Sequence, residues 1–257
     1  MNNNDKQITS FNRLLEIMNQ LRNECAWDKE QTMESLRHLT IEETYELSEA
    51  ILDNDINEIK NELGDLLLHI IFYSKIASET DDFDINDVIN SICDKLINRH
   101  PHIYTNLKLS TINEVKQNWE LIKKKEGSKG TLSGVPKGLP SLIKAMRIQE
   151  KASGIGFKWD DKSDALDKVV EEIKEFKIEL KNSDNEKMEN EFGDILFSLI
   201  NYASYNNINS AKALEKTNKK FIHRFNYLED ISSKLNKPIS EMSSNEVIKY
   251  WNQAKSI

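Results

Sequence analysis

Two sets of carboxylates dominate the residues able to do chemistry. Glu42, Glu43 and Glu46 precede Glu62 and Asp65, and Glu171, Glu172 and Glu175 precede Glu191 and Asp194. On a helix, residues three and four apart share a face. Glu43 and Glu46 therefore point together, with Glu42 beside Glu46, and Glu62 and Asp65 share a second face. Consecutive helices joined by a short break pack antiparallel, so four carboxylates are expected to converge between them. Like charges at that range repel and need compensation. A hard divalent cation supplies it, and Mg2+ keeps waters and takes substrate phosphates as further ligands. Di-iron carboxylate bundles use Glu-x-x-His pairs, but no His here has Glu three positions before it. That leaves an all-oxygen site, suited to Mg2+ with Mn2+ as substitute.

A lone E-x-x-E on a helix is usually a solvated face. Here the pattern occurs twice, and all five acids recur at an offset of 129 positions. Asp65 and Asp194 each open an apolar run, Leu66 to Tyr73 and Ile195 to Tyr202, where an unpaired carboxylate is costly. Each also follows a glycine, Gly64 or Gly193. A glycine inside a helix costs about 1 kcal/mol, so these two are expected to admit another helix or a ligand.

The elements that position these acids read as helices, twice over. Leu14, Leu15, Met18 and Leu21 follow the helical period. Thr40-Ile41-Glu42-Glu43 fits a capping box at a helix start. Asp53-Asn54-Asp55 breaks that helix, and a second runs from about 56 to 77. Segments near 86–98 and 112–125 complete the first half. Helices near 141–153, 163–181, 187–205, 210–235 and 243–255 make the second. No β-strand alternation is present. Trp27-Asp28 recurs as Trp159-Asp160, Asn113-Glu114-Val115 with Trp119 as Asn245-Glu246-Val247 with Trp251, and Lys95 and Arg99 as Lys220 and Arg224. A series in the same order marks an internal duplication. The stretch 126–140 holds half of the chain's glycines and prolines and reads as a linker. The expected division is 1–128, a linker over 129–140, and 141–257.

Composition excludes several classes. Of 257 residues, 38% are hydrophobic and 30% charged, and the net charge is -8. Such a chain buries a core and lacks the basic surface of a nucleic-acid binder. Cys25 and Cys93 form no metal cluster and suggest no oxidised scaffold. The N-terminus is polar, unlike a signal peptide, and no apolar run approaches a membrane span. The expected location is the cytoplasm. Neither G-x-x-x-x-G-K-[ST] nor G-x-G-x-x-G is present, so no kinase or dehydrogenase signature appears.

E-E-x-x-E, a spacer and E-x-x-D on paired helices closely resembles the MazG family of all-α nucleoside triphosphate pyrophosphohydrolases. Cys25-Ala-Trp-Asp-Lys-Glu-Gln31 and Arg99-His-Pro-His102 are similar to that family's first domain. Gly156-Phe-Lys-Trp-Asp160 and Asn218-Lys-Lys-Phe-Ile-His-Arg224 are similar to its second. The resemblance covers nearly the whole chain, in the order of the two-domain bacterial members. It implies two tandem all-α bundles, a homodimer, and Mg2+-dependent hydrolysis of NTPs and dNTPs of broad base type to monophosphate and pyrophosphate, clearing unwanted nucleotides. It also implies residue roles. Glu172, Glu175, Glu191 and Asp194 would bind Mg2+, and Glu171 would support a ligand or orient water. Lys187, Lys220 and Arg224 would bind the triphosphate, and Trp251 would lie near the nucleotide.

Plainer readings stand beside these. Lys220 and Arg224 at i, i+4 also suit a solvated helix face, Trp251 suits a core, and Lys187 could pair with Glu191 within its helix. His69 reads as a core residue, and His100 and His102 as loop residues. The first half keeps Glu43, Glu46, Glu62 and Asp65 as a second possible metal site. It has the acid Glu58 where the second half has Lys187, so the second half is expected to be the main catalyst. The alternatives are a non-catalytic nucleotide-binding regulatory bundle and a narrower dUTP or dCTP pyrophosphatase.

Overall fold

In the computed structural model, which describes residues 3–126 and 130–255, the chain is all helical, with no strand among the described residues. It forms two compact units that divide between Lys108 and Leu109.

The first unit contains α1 (Asn3–Glu24), short α2 (Ala26–Glu30), α3 (Met33–Asp53), α4 (Ile56–Ser78), α5 (Ile85–Arg99) and short α6 (Pro101–Tyr104). Its core is Met18 from α1, Leu36 from α3, and Ile71 and Phe72 from α4, with Leu39 and Tyr73 packed around them. Removing one such side chain, as in Ile71→Ala, costs about 2–5 kcal/mol. The pairing that matters for the site is α3 on α4.

Helix α3 begins earlier than the sequence suggests. Thr32 is its N-cap: the Thr32 hydroxyl accepts from the Ser35 N–H, and Ser35 Oγ accepts from the Thr32 N–H. Thr40, expected at the start, lies inside the helix. Its hydroxyl donates to the Leu36 carbonyl at 3.1 Å and lies 2.6 Å from the Tyr73 hydroxyl on α4. A threonine can satisfy itself on the i−4 carbonyl, so the Thr-x-x-Glu pattern alone does not fix a cap.

The break between α3 and α4 falls where expected. Asn54 adopts the left-handed conformation at φ 56°, and Asp55 caps α4 by accepting from the N–H groups of Asn57 and Glu58. The second half repeats this turn 129 positions on. Ser183 sits at φ 54°, and Asp184 caps the next helix through the Lys187 N–H. Asn tolerates this conformation better than Ser, so Ser183 carries strain that Asn54 largely avoids.

The second unit contains α7 (Ile112–Lys125), α8 (Ser141–Gly154), α9 (Lys162–Asn182), α10 (Asn185–Tyr205), α11 (Ser210–Leu235), a 3-10 turn (Ile239–Glu241) and α12 (Ser244–Gln253). Helices α9 and α10 form the central pair, α8 lies on α10 and α11, and α12 packs on α11. The helix over 112–125 groups with this unit and touches α8, although the sequence pattern assigns it to the first half. Residues 127–129, at the head of the expected linker, lie outside the described residues. Further along, the Lys151 ammonium is buried and donates to the Thr131 carbonyl, tying residues 130–140 to α8.

The duplicated Asn-Glu-Val motifs are explained by capping. Thr111 with Glu114 and Ser243 with Glu246 form capping boxes that start α7 and α12. Among the described residues, no helix is long and apolar enough to cross a membrane.

Candidate functional site

Helices α3 and α4 bring Glu43, Glu46 and Glu62 together, with one oxygen from each lying within 4.8 Å of the others. Helices α9 and α10 do the same for Glu172, Glu175 and Glu191. Four acids per cluster were expected to converge, and three do. Asp65 and Asp194 stand one helical turn beyond Glu62 and Glu191, are exposed, and lie outside both trios. Asp65 is still close enough for its charge to act on all three acids of its cluster.

The electrostatics of the first trio favour a cation. Removal from water pushes the Glu43, Glu46 and Glu62 carboxyls above the usual range, and neighbouring carboxylate charges add to this. Glu62 is only 9% exposed, and its Oε2 is buried without a hydrogen-bond partner. A buried, unsatisfied carboxylate oxygen is costly. An all-carboxylate donor set with such an orphan oxygen suits a hard divalent ion.

The second trio differs by one residue that the sequence reading missed. Lys168, on α9, places its ammonium 2.8 Å from Glu171 Oε1 and 2.7 Å from Glu172 Oε1. Glu172 is only 6% exposed. The two carboxylates hold Lys168 firmly charged, raising its pKa. Glu171 is thus tied to Lys168, while Glu175 remains pushed up by burial and by the Glu172 charge. The signal was present in the sequence, since Lys168 lies three and four positions before these glutamates. The first half has Leu39 at the matching place, so comparing only the repeated residues hides it.

The expected substrate-binding residues occupy two other places. Lys187 is in the first turn of α10, largely exposed, with its ammonium 3.5 Å from Asp184 Oδ2. Lys187 thus pairs with the capping aspartate. Lys220 and Arg224 lie on α11, the first exposed and the second half-buried. The Arg224 guanidinium sits 5.9 Å from the centre of the Trp251 ring, and Phe221 meets the same ring edge-on at 5.1 Å. Trp251 is half-buried, placed between a core side chain and an open platform. Arg224 and Trp251 therefore form one unit across α11 and α12.

A Cβ built on Gly64 or Gly193 meets nothing within 4 Å. The expected close approach of another helix is therefore absent among the described residues at both glycines. His69 is buried beside Tyr73, in keeping with a core position. His100 ends α5, and His102 lies in the short α6 instead of a loop. Cys25 and Cys93 are free thiols.

The two repeated helical segments that carry the carboxylates match known proteins. A model of the MazG nucleotide pyrophosphohydrolase domain matches this chain twice, over residues 31–104 and 161–228. A nucleoside triphosphate pyrophosphohydrolase from Escherichia coli strain K12 is 37% identical over 257 residues, spanning 96% of this chain and 98% of that protein. The nucleoside triphosphate pyrophosphohydrolase/pyrophosphatase MazG of Thermotoga maritima is 40% identical over 250 residues, spanning 95% of each. A crystal structure of a MazG-related protein from Thermotoga maritima aligns with 44% of this chain and 98% of its own, at 27% identity and a TM-score of 0.40. The matched segments contain both carboxylate trios and the helices that carry them, and the chain belongs to the MazG nucleotide pyrophosphohydrolase family, with the family's domain present twice.

Proposed function

We propose that this chain hydrolyses nucleoside triphosphates to monophosphate and pyrophosphate, with Mg2+, in its second unit. The observation that carries this reading is the Glu172–Glu175–Glu191 trio, built on paired helices inside a matched family domain. The names of the full-length relatives support the reaction.

Glu172, Glu175 and Glu191 would hold the ion, with Asp194 one turn further along α10 joining them from the exposed rim. When bound, the ion would neutralise phosphate oxygens and lower the pKa of water. The chain's own residues do the rest. Lys187, at the head of α10, and Lys220, on α11, supply positive charge for a polyanion. Arg224 and Trp251 offer a guanidinium and an aromatic face in one unit, suited to a phosphate and a base. Stacking on a ring reads little of the base's edge, which favours broad base tolerance over a narrow dUTP or dCTP preference. Glu171, exposed beside the trio and paired with Lys168, would support a ligand or orient water.

A homodimer is part of this reading. Leu63, Leu67 and Ile70 on α4, and Phe192, Leu196 and Leu199 on α10, are exposed apolar stripes at matching positions of the two repeats. Such stripes favour burial against another surface, and a second copy would double the 29.8 kDa mass. Light scattering on the purified chain tests this directly.

Product analysis tests the reaction. Purified protein is incubated with each NTP and dNTP plus Mg2+, beside Glu172→Ala, Glu43→Ala and the double variant. Pyrophosphate and monophosphate from wild type, lost with Glu172→Ala and kept with Glu43→Ala, is the expected result. Loss only in the double variant would place activity in both units. Nucleotide binding without pyrophosphate from any substrate would leave a regulatory bundle.

A further inference from the structure

We infer that Lys168 makes the two carboxylate clusters unequal, so that the Glu43–Glu46–Glu62 cluster takes a free divalent cation more tightly than the Glu172–Glu175–Glu191 cluster. This rests on reading both clusters as cation sites, and it adds an order of loading that the family likeness does not contain.

Leu36 and Ala165 are equivalent in the repeat, and each is about 1% exposed, so α3 and α9 present the same face to their cores. One turn later come Leu39 and Lys168. Leu39 packs against the Met18–Leu36–Ile71–Phe72 core. Lys168 instead reaches Glu171 and Glu172 with both contacts under 3 Å.

The consequence is a difference in unmet charge. In the second unit the buried carboxylate, Glu172, already has an ammonium on it. In the first unit the buried carboxylate is Glu62, and its Oε2 has no hydrogen-bond partner. A bare divalent ion entering the first trio meets uncompensated negative charge. Entering the second, it must share Glu172 with Lys168 or displace it, and two cations a few ångströms apart repel. Lys168 is partly solvated, with a third of its side chain exposed. Screening therefore limits the difference to about tenfold in affinity, not the many decades of a dry interior.

Mn2+ alone, titrated into the full chain without nucleotide, is the test. Electron paramagnetic resonance counts the free ion. Wild type should show two classes of one ion each per chain, about tenfold apart. Glu62→Gln should remove the tighter class, and Glu191→Gln should leave it in place. Lys168→Met, at a partly exposed position that leaves the core intact, should tighten the weaker class by about tenfold. Leu39→Lys is the reciprocal change but enters a packed site, so circular dichroism must first show it folded. Two equal classes in wild type, loss of the tight class in Glu191→Gln, or an unmoved weak class in Lys168→Met would each overturn the inference. Turnover is measured separately. Pyrophosphate release with equal Mn2+ classes rejects the inequality alone, whereas unequal classes without turnover reject the proposed reaction alone.

Discussion

Replacing Gly193 by alanine separates what the fold needs from what the site needs. Gly193 lies inside α10, between Glu191 and Asp194, and a Cβ there meets nothing within 4 Å. Its backbone is helical, so alanine adds no strain. Alanine is favoured over glycine inside a helix by about 0.5–1 kcal/mol, because glycine loses more backbone freedom on folding. With no clash to offset that gain, the whole of it should appear as stability. For a body of roughly 150 residues, 1 kcal/mol corresponds to about 2–4 °C in Tm. Scanning calorimetry of Gly193→Ala should therefore show the second unit's transition raised by about 1–4 °C. The same substitution at Gly64, also open, should do this for the first unit. On the proposed function, the open space over Gly193, between Glu191 and Asp194, would admit bound substrate. Turnover of a triphosphate should accordingly fall in Gly193→Ala while stability rises. A lower Tm would refute the packing argument, since something would then have to fill that space. A higher Tm with unchanged turnover would refute the claim that the space is used.

Other outcomes follow from single contacts. Arg22 donates to the carbonyls of Asp28, Lys29 and Gln31, pairs with Glu79 at 2.9 Å, and lies over Phe72. Arg22→Met removes three hydrogen bonds and the ion pair, although the Asp28 carbonyl keeps the Gln31 N–H, and should cost about 1–3 kcal/mol by denaturant unfolding, against about 1 kcal/mol or less for Glu79→Gln. The Glu246 carboxyl is held at about 2 by the Ser243 N–H, the Lys237 ammonium and the Ser243 hydroxyl. That lies below an unfolded glutamate at about 4.3, so its stabilisation is present above that pH and lost as pH falls toward 2. Glu246→Gln should melt below wild type at neutral pH, and the gap should close between about pH 4 and 2. Ser183→Asn relieves part of a left-handed serine and should raise stability by about 0.5–1 kcal/mol. Trp251→Ala should raise KM for a triphosphate by about tenfold or more through lost stacking, with kcat changed less.

The sequence by itself determined much of this protein. The 3.6-residue apolar period and the scarcity of glycine and proline made it all helical. The offset of 129 made it a duplication, and E-x-x-E followed by E-x-x-D selected two paired helices. These are local properties, set by which residues share a helix face. The turn at Asn54-Asp55 was equally legible, because a left-handed residue followed by an aspartate N-cap is written in adjacent positions.

Only the tertiary structure decided how the acids meet. Helix geometry puts Glu62 and Asp65 on one face, but the packing of α3 on α4 selects Glu62 for the buried trio and leaves Asp65 at its rim. Thr40 could have been a cap until Tyr73 arrived from the next helix. The side to which 112–125 belongs depends on its contact with α8, which no local pattern records. Lys168 shows the limit most plainly. In the sequence it is one lysine among many, an ordinary i, i+4 partner for glutamate. Burial of Glu172 against the neighbouring helix is what turns that pair into a difference between the two sites, because a charge matters most where water has been removed.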